Sequence, residues 1–455
     1  MGDAYASSLP HESDARFRER VRRTLRRLLR QRPMGFEQLL TCCLNCDPAV
    51  LSVILAEDVA SGAVRRGGGS DGSSLFVLGG EIRTHESAAE QQTNGQRDAW
   101  ISAPAYASSS EIRSSLQCIA RALPEAAPVY SQWWFSISTC FRLAELMIRL
   151  KRDATEIAFL GSPTFAAIFS QLSDMRATVF DVDTEVLRRL SSHYSPVSQL
   201  VPYDVGTELD ASAAERFGLV FADPPWGRTL LRSFLRRASE LASVGGAVVI
   251  SFPQALTRPG LSGEIRTLLR EAVSLGLHLW RVIRNATEYE VPLFEFDAYR
   301  SCGIELHTTW RRGDLLVFRK LGRSRQRTLP EWAWPVAVWE QFCVDKERLF
   351  VRRGINGRTS TLSISPVPGA IDFRCPTTSS RSSVMQLASI VSTRNEVASV
   401  RGDLQLGDTL REHLTRIAVS REAAPSHRPS EPRNLLGELG LLIAGQHHDR
   451  PQCER

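Results

Sequence analysis

The sequence predicts an α/β protein: an N-terminal winged helix, then a seven-stranded, mostly parallel Rossmann domain, then a poorly defined C-terminal extension. Three observations predict it. Strand–helix alternation is sustained from about residue 156 to 320, with strands that are runs of Val, Ile, Leu and Phe. Three short helices followed by a Gly-rich hairpin come before it. The length, 455 residues, is more than one hydrophobic core usually serves.

The winged-helix domain is expected over 15–80. A helix over 16–32 puts Phe17, Val21, Leu25, Leu28 and Leu29 on one face, and Pro33 and Gly35 end it. A short helix over 36–43 follows. Asp47-Pro48 then caps a third helix reaching about Ala60, and a Gly-rich turn leads to Ser74-Leu-Phe-Val-Leu. Residues 81–127, rich in Ser, Ala, Gln and Gly, read as a linker with one helix near 111–122.

The Rossmann domain is expected over 128–320. Its strands are read at 156–161, 177–181, 199–204, 217–223, 246–252, 278–283 and 314–319, with helices at 165–174, 184–194, 230–242 and 261–275 and no clear helix between the last two strands. This order is that of a methyltransferase-like Rossmann variant, in which ligands bind at the carboxyl ends of the strands. Beyond it, a partly helical extension over 321–420 is expected, with some strand character in 332–351 and helices at 385–391 and 409–418. A disordered tail is expected over 421–455.

Composition excludes several classes. The N-terminus lacks the apolar stretch of a secretory signal, and no apolar run of about 18 residues or more predicts a membrane span. Nine scattered cysteines do not form a disulfide framework, and a reducing cytoplasm is expected. Cys43 and Cys46 have metal-ligand spacing, but nothing completes a site, so no metal is expected. The net charge of +6 is not spread evenly: residues 15–32 carry nine arginines against Glu19, and the remainder is mildly acidic. That helix is either a solvated face, the simpler reading, or a contact for nucleic acid.

The chemistry is sought at the strand ends. Leu160-Gly161-Ser162-Pro163 follows the first strand, where a glycine and a helix N-terminus let a ligand approach the backbone. Asp181 and Asp183 follow the second strand and Asp204 the third. An acid there suits a ribose diol, and capping of the next helix is the competing role for Asp183. The strongest signal is Asp223-Pro224-Pro225-Trp226 after the fourth strand. Two prolines remove two donors and hold the chain extended, leaving carbonyls that need partners. With the Asp223 carboxylate they make a place for an N–H-bearing nucleophile, and Trp226 adds a flat wall. Further on, Glu288, Glu290, Glu295 and Asp297 crowd around Tyr289 and could line a site for a polycation or form a solvated loop.

Asp223-Pro-Pro-aromatic resembles the amino-group N-methyltransferases, which use S-adenosylmethionine. A longer stretch, about 15–320, resembles the branched-chain polyamine synthases (bis(aminopropyl)spermidine synthases) in domain order. It also does so in Tyr130-Ser-Gln132, Phe180-Asp-Val-Asp183, Asp223-Pro-Pro, the segment from Leu256-Thr-Arg258 to Leu275-Gly-Leu, Asn285-Ala-Thr-Glu-Tyr289 and Trp310-Arg-Arg-Gly-Asp314. The resemblance implies aminopropyl transfer from decarboxylated S-adenosylmethionine to a polyamine-like amine. In this reading Asp223, Pro224, Pro225 and Trp226 are catalytic on the acceptor side, with Trp226 standing where the family has a smaller polar residue; Gly161, Ser162, Asp181, Asp183 and Asp204 bind the co-substrate, and Glu288, Tyr289 and Glu290 bind the substrate. The chain departs from the family after the first strand, where Gly-Asp-Asp-Asp is replaced by Gly161-Ser162-Pro163-Thr164.

Two other readings stand beside this one. One is an S-adenosylmethionine-dependent methyltransferase acting on a nucleobase amine or a protein side chain, to which the flat Trp226 is suited. The other is a winged-helix regulator with a non-catalytic nucleoside-sensing domain. The expected partner is a small-molecule amine, with no membrane; nucleic acid through the arginine-rich helix and a second copy in a homodimer stay open as alternatives.

Overall fold

The computed structural model describes residues 13–43, 45–68, 74–79, 110–151, 154–194, 198–306, 309–323, 339–344, 346–352, 363–368, 370, 375 and 387–401. Among them no helix is long and apolar enough to cross a membrane. The chain forms two compact units. The first takes the N-terminal residues to Ala122, Phe135–Glu290 and His307–Ala333; the second takes Leu123–Trp134, Val291–Leu306 and the chain from Trp334 onward.

In the first unit, α1 (Asp14–Leu29) starts at Ser13, whose hydroxyl accepts from the Arg16 N–H, and it buries Phe17, Val21, Leu25 and Leu29. A two-residue strand, β1 (Met34–Gly35), leads to α2 (Phe36–Cys42). Asp47 then caps α3 (Pro48–Ala60) through the Ala49 and Val50 N–H groups. The strands β2 (Val64–Gly68) and β3 (Ser74–Leu78) complete a three-stranded antiparallel sheet of order β1-β3-β2. Part of the basic charge of α1 is spent inward. Arg18 and Arg22 pair with Glu57, and Arg22 and Arg26 hold the buried Asp58, at 2.6–2.9 Å. A buried carboxylate needs such partners, so these arginines act as structural counter-ions of α3. Further along, α4 (Ser110–Ala122) precedes α5 (Ile137–Leu150), which Ser136 caps.

The central sheet contains β4 (Glu156–Leu160), β5 (Arg176–Asp181), β6 (Gln199–Pro202), β7 (Phe217–Ala222), β8 (Ala242–Pro253), β9 (Leu277–Glu288) and β10 (Arg312–Lys320). Their order is β6-β5-β4-β7-β8-β10-β9. The pairs from β6 to β8 are parallel, and β10 runs against both β8 and β9. Intervening helices α6 (Pro163–Phe169), α7 (Thr184–Leu190), α8 (Arg228–Leu241) and α9 (Leu261–Ser274) follow β4, β5, β7 and β8. Ile157, Ala158, Phe159, Leu219, Val220 and Phe221 are fully buried, which is why these strands read as unbroken apolar runs. The strand order reverses between β4 and β7, where Leu160 lies opposite Ala222, and open sheets of this kind bind ligands at such a switch point.

Two expectations of local structure are corrected. The last two sheet strands are not joined by a bare loop: α10 (Leu293–Ser301) lies between them and buries Phe294, Glu295, Ala298 and Tyr299. Its mixed charge disguises it, because Glu295 sits on the buried side. The helix expected at 385–391 does not continue through its described part beyond Leu387. Ile390 and Val391 belong to a strand paired on both sides, where β-branched side chains are well suited.

The second unit holds α10 and a five-stranded antiparallel sheet of β11 (Trp339–Val344), β12 (Glu347–Arg352), β13 (Ser363–Pro366), β14 (Ile390–Ser392) and β15 (Val397–Arg401), in the order β11-β12-β14-β15-β13. Its fully buried Arg348 donates to the Glu125 carbonyl and to Gln132 Oε1, tying an early segment to the late sheet. The helix expected at 409–418 and the tail over 421–455 lie outside the described residues.

Candidate active site

The site is built where β4 and β7 end side by side. The Asp223 N–H donates to the Leu160 carbonyl at 3.0 Å, extending the pairing by one residue and bringing Gly161 against the Asp223 loop. Gly161 has φ +69°, and a Cβ there would lie 2.6 Å from the Phe234 ring and 3.1 Å from the Asp223 carbonyl. Only glycine satisfies both the backbone angle and the close approach.

Asp223 is the centre of a short network. Tyr289 donates its hydroxyl to Asp223 Oδ1 at 2.7 Å, and Ser251 Oγ lies 2.5 Å from the same tyrosine oxygen. Tyr289 and Ser251 are buried. Desolvation pushes the Asp223 carboxyl up to about 7, against the opposing pull of the Tyr289 and Ser251 hydrogen bonds. A carboxyl that ionises near neutrality is suited to taking a proton from an amine. Tyr289 itself is pushed well above its ordinary value by burial and by Asp223, and so stays a donor.

Aromatic walls hold this network. The Phe135 ring packs on Tyr289 at 4.7 Å, and Trp226 meets Tyr289 edge-on at 5.5 Å. Phe135 is brought there by backbone pairing, since the Ser136 N–H donates to the Glu288 carbonyl and the Glu288 N–H to Thr139 Oγ1. The Arg311 guanidinium stands over the Trp226 ring and over Trp310, 5.2 Å from each centroid. Arg258 Nε donates to the Trp226 carbonyl at 3.3 Å while its other nitrogens clasp Glu264. Gly313 leaves room for this arrangement, because a Cβ there would lie 3.1 Å from Trp226 Cζ2.

The positions expected to hold a co-substrate separate into two groups. Ser162 and Thr164 are buried, and neither hydroxyl has a hydrogen-bond partner among the described residues. Orphaned buried hydroxyls at the carboxyl end of β4, beside a left-handed glycine, fit a polar ligand there. Asp181, also buried, accepts from the Asp183 N–H at 2.8 Å. Asp183 accepts from Glu185 and Val186 and caps α7, so its carboxylate is used by the helix. Asp204 closes its own turn by accepting from the Gly206 N–H.

The acidic run is divided between the two units. Glu288 pairs with Arg312 at 2.8 Å, and Glu290 is exposed, with its carboxyl raised by desolvation and by Glu288. Glu295 and Asp297 belong to the second unit, where Asp297 pairs with Arg394. Sequence reasoning missed Ser251, Arg258 and Arg311 as parts of the site. Ser251 had a signal: it is the lone hydroxyl near the end of the apolar strand Val248-Val249-Ile250-Ser251-Phe252. The thiols of Cys43 and Cys46 are buried and raised by desolvation.

Comparison with known proteins follows the same outline. A family model described as "Probable N6-adenine methyltransferase" matches residues 128–252, which include Gly161, Asp223 and Ser251. No curated protein matches the chain. Among solved structures, the branched-chain polyamine synthase of Thermus thermophilus, in complex with N4-aminopropylspermidine and 5′-methylthioadenosine, is 18% identical. It covers 71% of this chain and 91% of its own, with a TM-score of 0.52. A mutein of that enzyme is 17% identical over the same shares, with a TM-score of 0.51. An N-methyltransferase of Bradyrhizobium japonicum in complex with S-adenosyl-L-homocysteine is 15% identical and covers 39% of this chain and 85% of its own, with a TM-score of 0.27. The fold is therefore the methyltransferase-like Rossmann fold. With the family match, it defines the class of the protein: an enzyme, a transferase.

Proposed function

We propose that the chain transfers an alkyl group from an S-adenosylmethionine-type sulfonium to an amino nitrogen. The reading favoured is methyl transfer to a nucleobase or protein side-chain amine. The observation that carries the reaction type is the Asp223 network: a carboxyl ionising near 7, held by Tyr289 and Ser251 and followed by two prolines. In this reading Asp223 accepts an N–H of the amine and orients its lone pair, with the Pro224 carbonyl as second acceptor. Asp223 then takes the proton that the alkylated nitrogen must lose. The co-substrate, when bound, supplies the electrophilic carbon. Gly161, Ser162, Thr164 and Asp181 would hold it.

Charge around Trp226 is the reason for preferring a methyl acceptor other than a polycation. The acids nearby are largely compensated, Glu288 by Arg312, Glu264 by Arg258 and Asp314 by Arg284. Arg311 covers Trp226. Acids neutralised in this way leave little negative potential to draw a polycation, which suits a neutral acceptor. The match of residues 128–252 to a family described as probable N6-adenine methyltransferases supports this reading.

Aminopropyl transfer from decarboxylated S-adenosylmethionine is kept as a second reading. Two carboxyls raised by desolvation, Asp223 and Glu290, flank Tyr289 and could share a polyamine. We also infer that residues 15–80 form a winged helix. Its third helix carries only the acids Glu57 and Asp58, which argues against its entering a DNA groove.

The test offers the full chain S-adenosylmethionine and its decarboxylated form, each with an adenine-bearing oligonucleotide, a lysine-bearing peptide or spermidine. S-adenosylhomocysteine formed with the first two acceptors supports the methyl reading. 5′-Methylthioadenosine formed with spermidine selects the aminopropyl reading. Binding of neither donor overturns both.

A further inference from the structure

Asn45 lies in the turn between α2 and α3, far in sequence from every residue of the site. It is almost fully buried, and its φ of +64° is left-handed. Asparagine tolerates that angle better than most residues, yet glycine would tolerate it more easily. The side chain therefore has another use. Its amide nitrogen donates to Thr257 Oγ1 at 3.0 Å, and its amide oxygen accepts from the Arg312 N–H at 3.0 Å.

The two partners are immediate chain neighbours of the residues that hold Trp226. Thr257 precedes Arg258, whose Nε reaches the Trp226 carbonyl. Arg312 follows Arg311, whose guanidinium covers the Trp226 ring. One amide thus ties together the two segments that grip the tryptophan, one by its backbone and one by its ring. Arg20 of α1 adds a longer contact, 3.5 Å, to the Ala255 carbonyl of the same loop.

We propose that Asn45 is a positioning residue of the candidate active site. It clamps the 257–258 and 311–312 segments and so sets the place of Trp226 from within the N-terminal domain. A buried amide using both its donor and its acceptor across two segments fixes their separation, because displacing either one leaves a polar group unpaired. The N-terminal domain is then part of the acceptor side, and a ligand that shifts the α2–α3 turn shifts Trp226. That Trp226 faces the acceptor rests on the function proposed above, whereas the clamp rests on the hydrogen bonds alone.

The test is hydrogen–deuterium exchange on the full chain with Asn45→Gly, which keeps the left-handed angle and deletes the amide. Exchange in peptides covering 226–229, 255–259 and 310–312 is expected to rise roughly five- to tenfold, with 156–160 and 176–181 unchanged. Thr257→Val, nearly isosteric, is expected to raise the same peptides by a smaller factor, and the double variant to match Asn45→Gly alone. Equal acceleration of β4 and β5, no change at 226–229, or strictly additive effects would overturn the clamp. Where transfer is measurable, the acceptor KM rises and donor affinity holds. An unchanged acceptor KM alongside accelerated exchange would count against Trp226 as an acceptor wall and leave the clamp standing.

Discussion

The ends of β4 and β7 are neighbours in one sheet, yet they are built on opposite plans. At β7 the central group is a carboxylate whose partners, Tyr289 and Ser251, come from two other strand ends, with aromatic rings on both sides. At β4 there is no acid, only Gly161 and the buried hydroxyls of Ser162 and Thr164, which have no partner among the described residues. One end is organised by the protein's own contacts and the other offers polar atoms that the protein does not use. Organised groups cost no reorganisation when a reaction develops charge beside them. Unused buried hydroxyls cost stability unless a ligand satisfies them. The proposed function places acceptor chemistry at β7 and donor binding at β4, and the contrast supports that division.

Breaking the organised end is expected to have the largest effect. Asp223→Asn should lower transfer by about 10²–10⁴-fold with donor affinity retained, measured by turnover and by calorimetry. The same variant has a pH signature. An ordinary aspartate ionises near 4 when unfolded, whereas Asp223 ionises at about 7 in the native state. The native state therefore binds the proton more tightly, and stability falls as pH rises from about 4 to 7, then levels off. Removing that ionisation should raise Tm by roughly 2–4 °C at pH 8 and have little effect at pH 4. No gain at pH 8 would mean that the carboxyl is not desolvated.

Tyr289→Phe should come next. It deletes a hydrogen bond that favours the ionised carboxylate, so the Asp223 limb of the pH–rate profile should move above about 7. The rate at pH 7 should fall about tenfold and recover in part at pH 9. At the other end, Ser162→Ala with Thr164→Val should weaken donor binding about five- to tenfold while Tm holds or rises slightly. A fall in Tm instead would show that these hydroxyls serve the fold. The smallest effect on function is expected from Asp183→Ala, which removes the α7 cap at a cost of ~1 kcal/mol and leaves donor affinity unchanged. A large loss of donor affinity would return Asp183 to the co-substrate site.

The strands were the most legible part of the molecule. A strand buried on both faces must be apolar at nearly every position, so β4, β7 and the 247–250 stretch of β8 appear as nearly unbroken apolar runs. Helix α10 was hidden because Glu295 and Asp297 lie within it, and a nine-residue helix gives little periodicity against such charges. Asp223-Pro224-Pro225 was visible because two prolines after a strand are a local, covalent signal. Its partners were not. In the sequence Tyr289 stands as a substrate contact within an acidic run, and Ser251 as a strand residue. Both are 28 or more positions from Asp223, and hydrogen bonds over that distance leave no local pattern.

The arginine-rich helix shows the same division. Its amphipathic spacing fixed the face carrying Phe17, Val21, Leu25 and Leu29, but the sequence could not apportion its charge. Packing of α1 on α3 turned Arg18, Arg22 and Arg26 toward Glu57 and Asp58. The sequence by itself determined the fold class, the strand order of appearance and the position of the proline loop, since periodicity and backbone restriction act between near neighbours. Tertiary structure alone decided which groups face Asp223, which hydroxyls lack partners and what Asn45 holds. Those are distances between remote segments, and they are set only when the sheet brings the strand ends together.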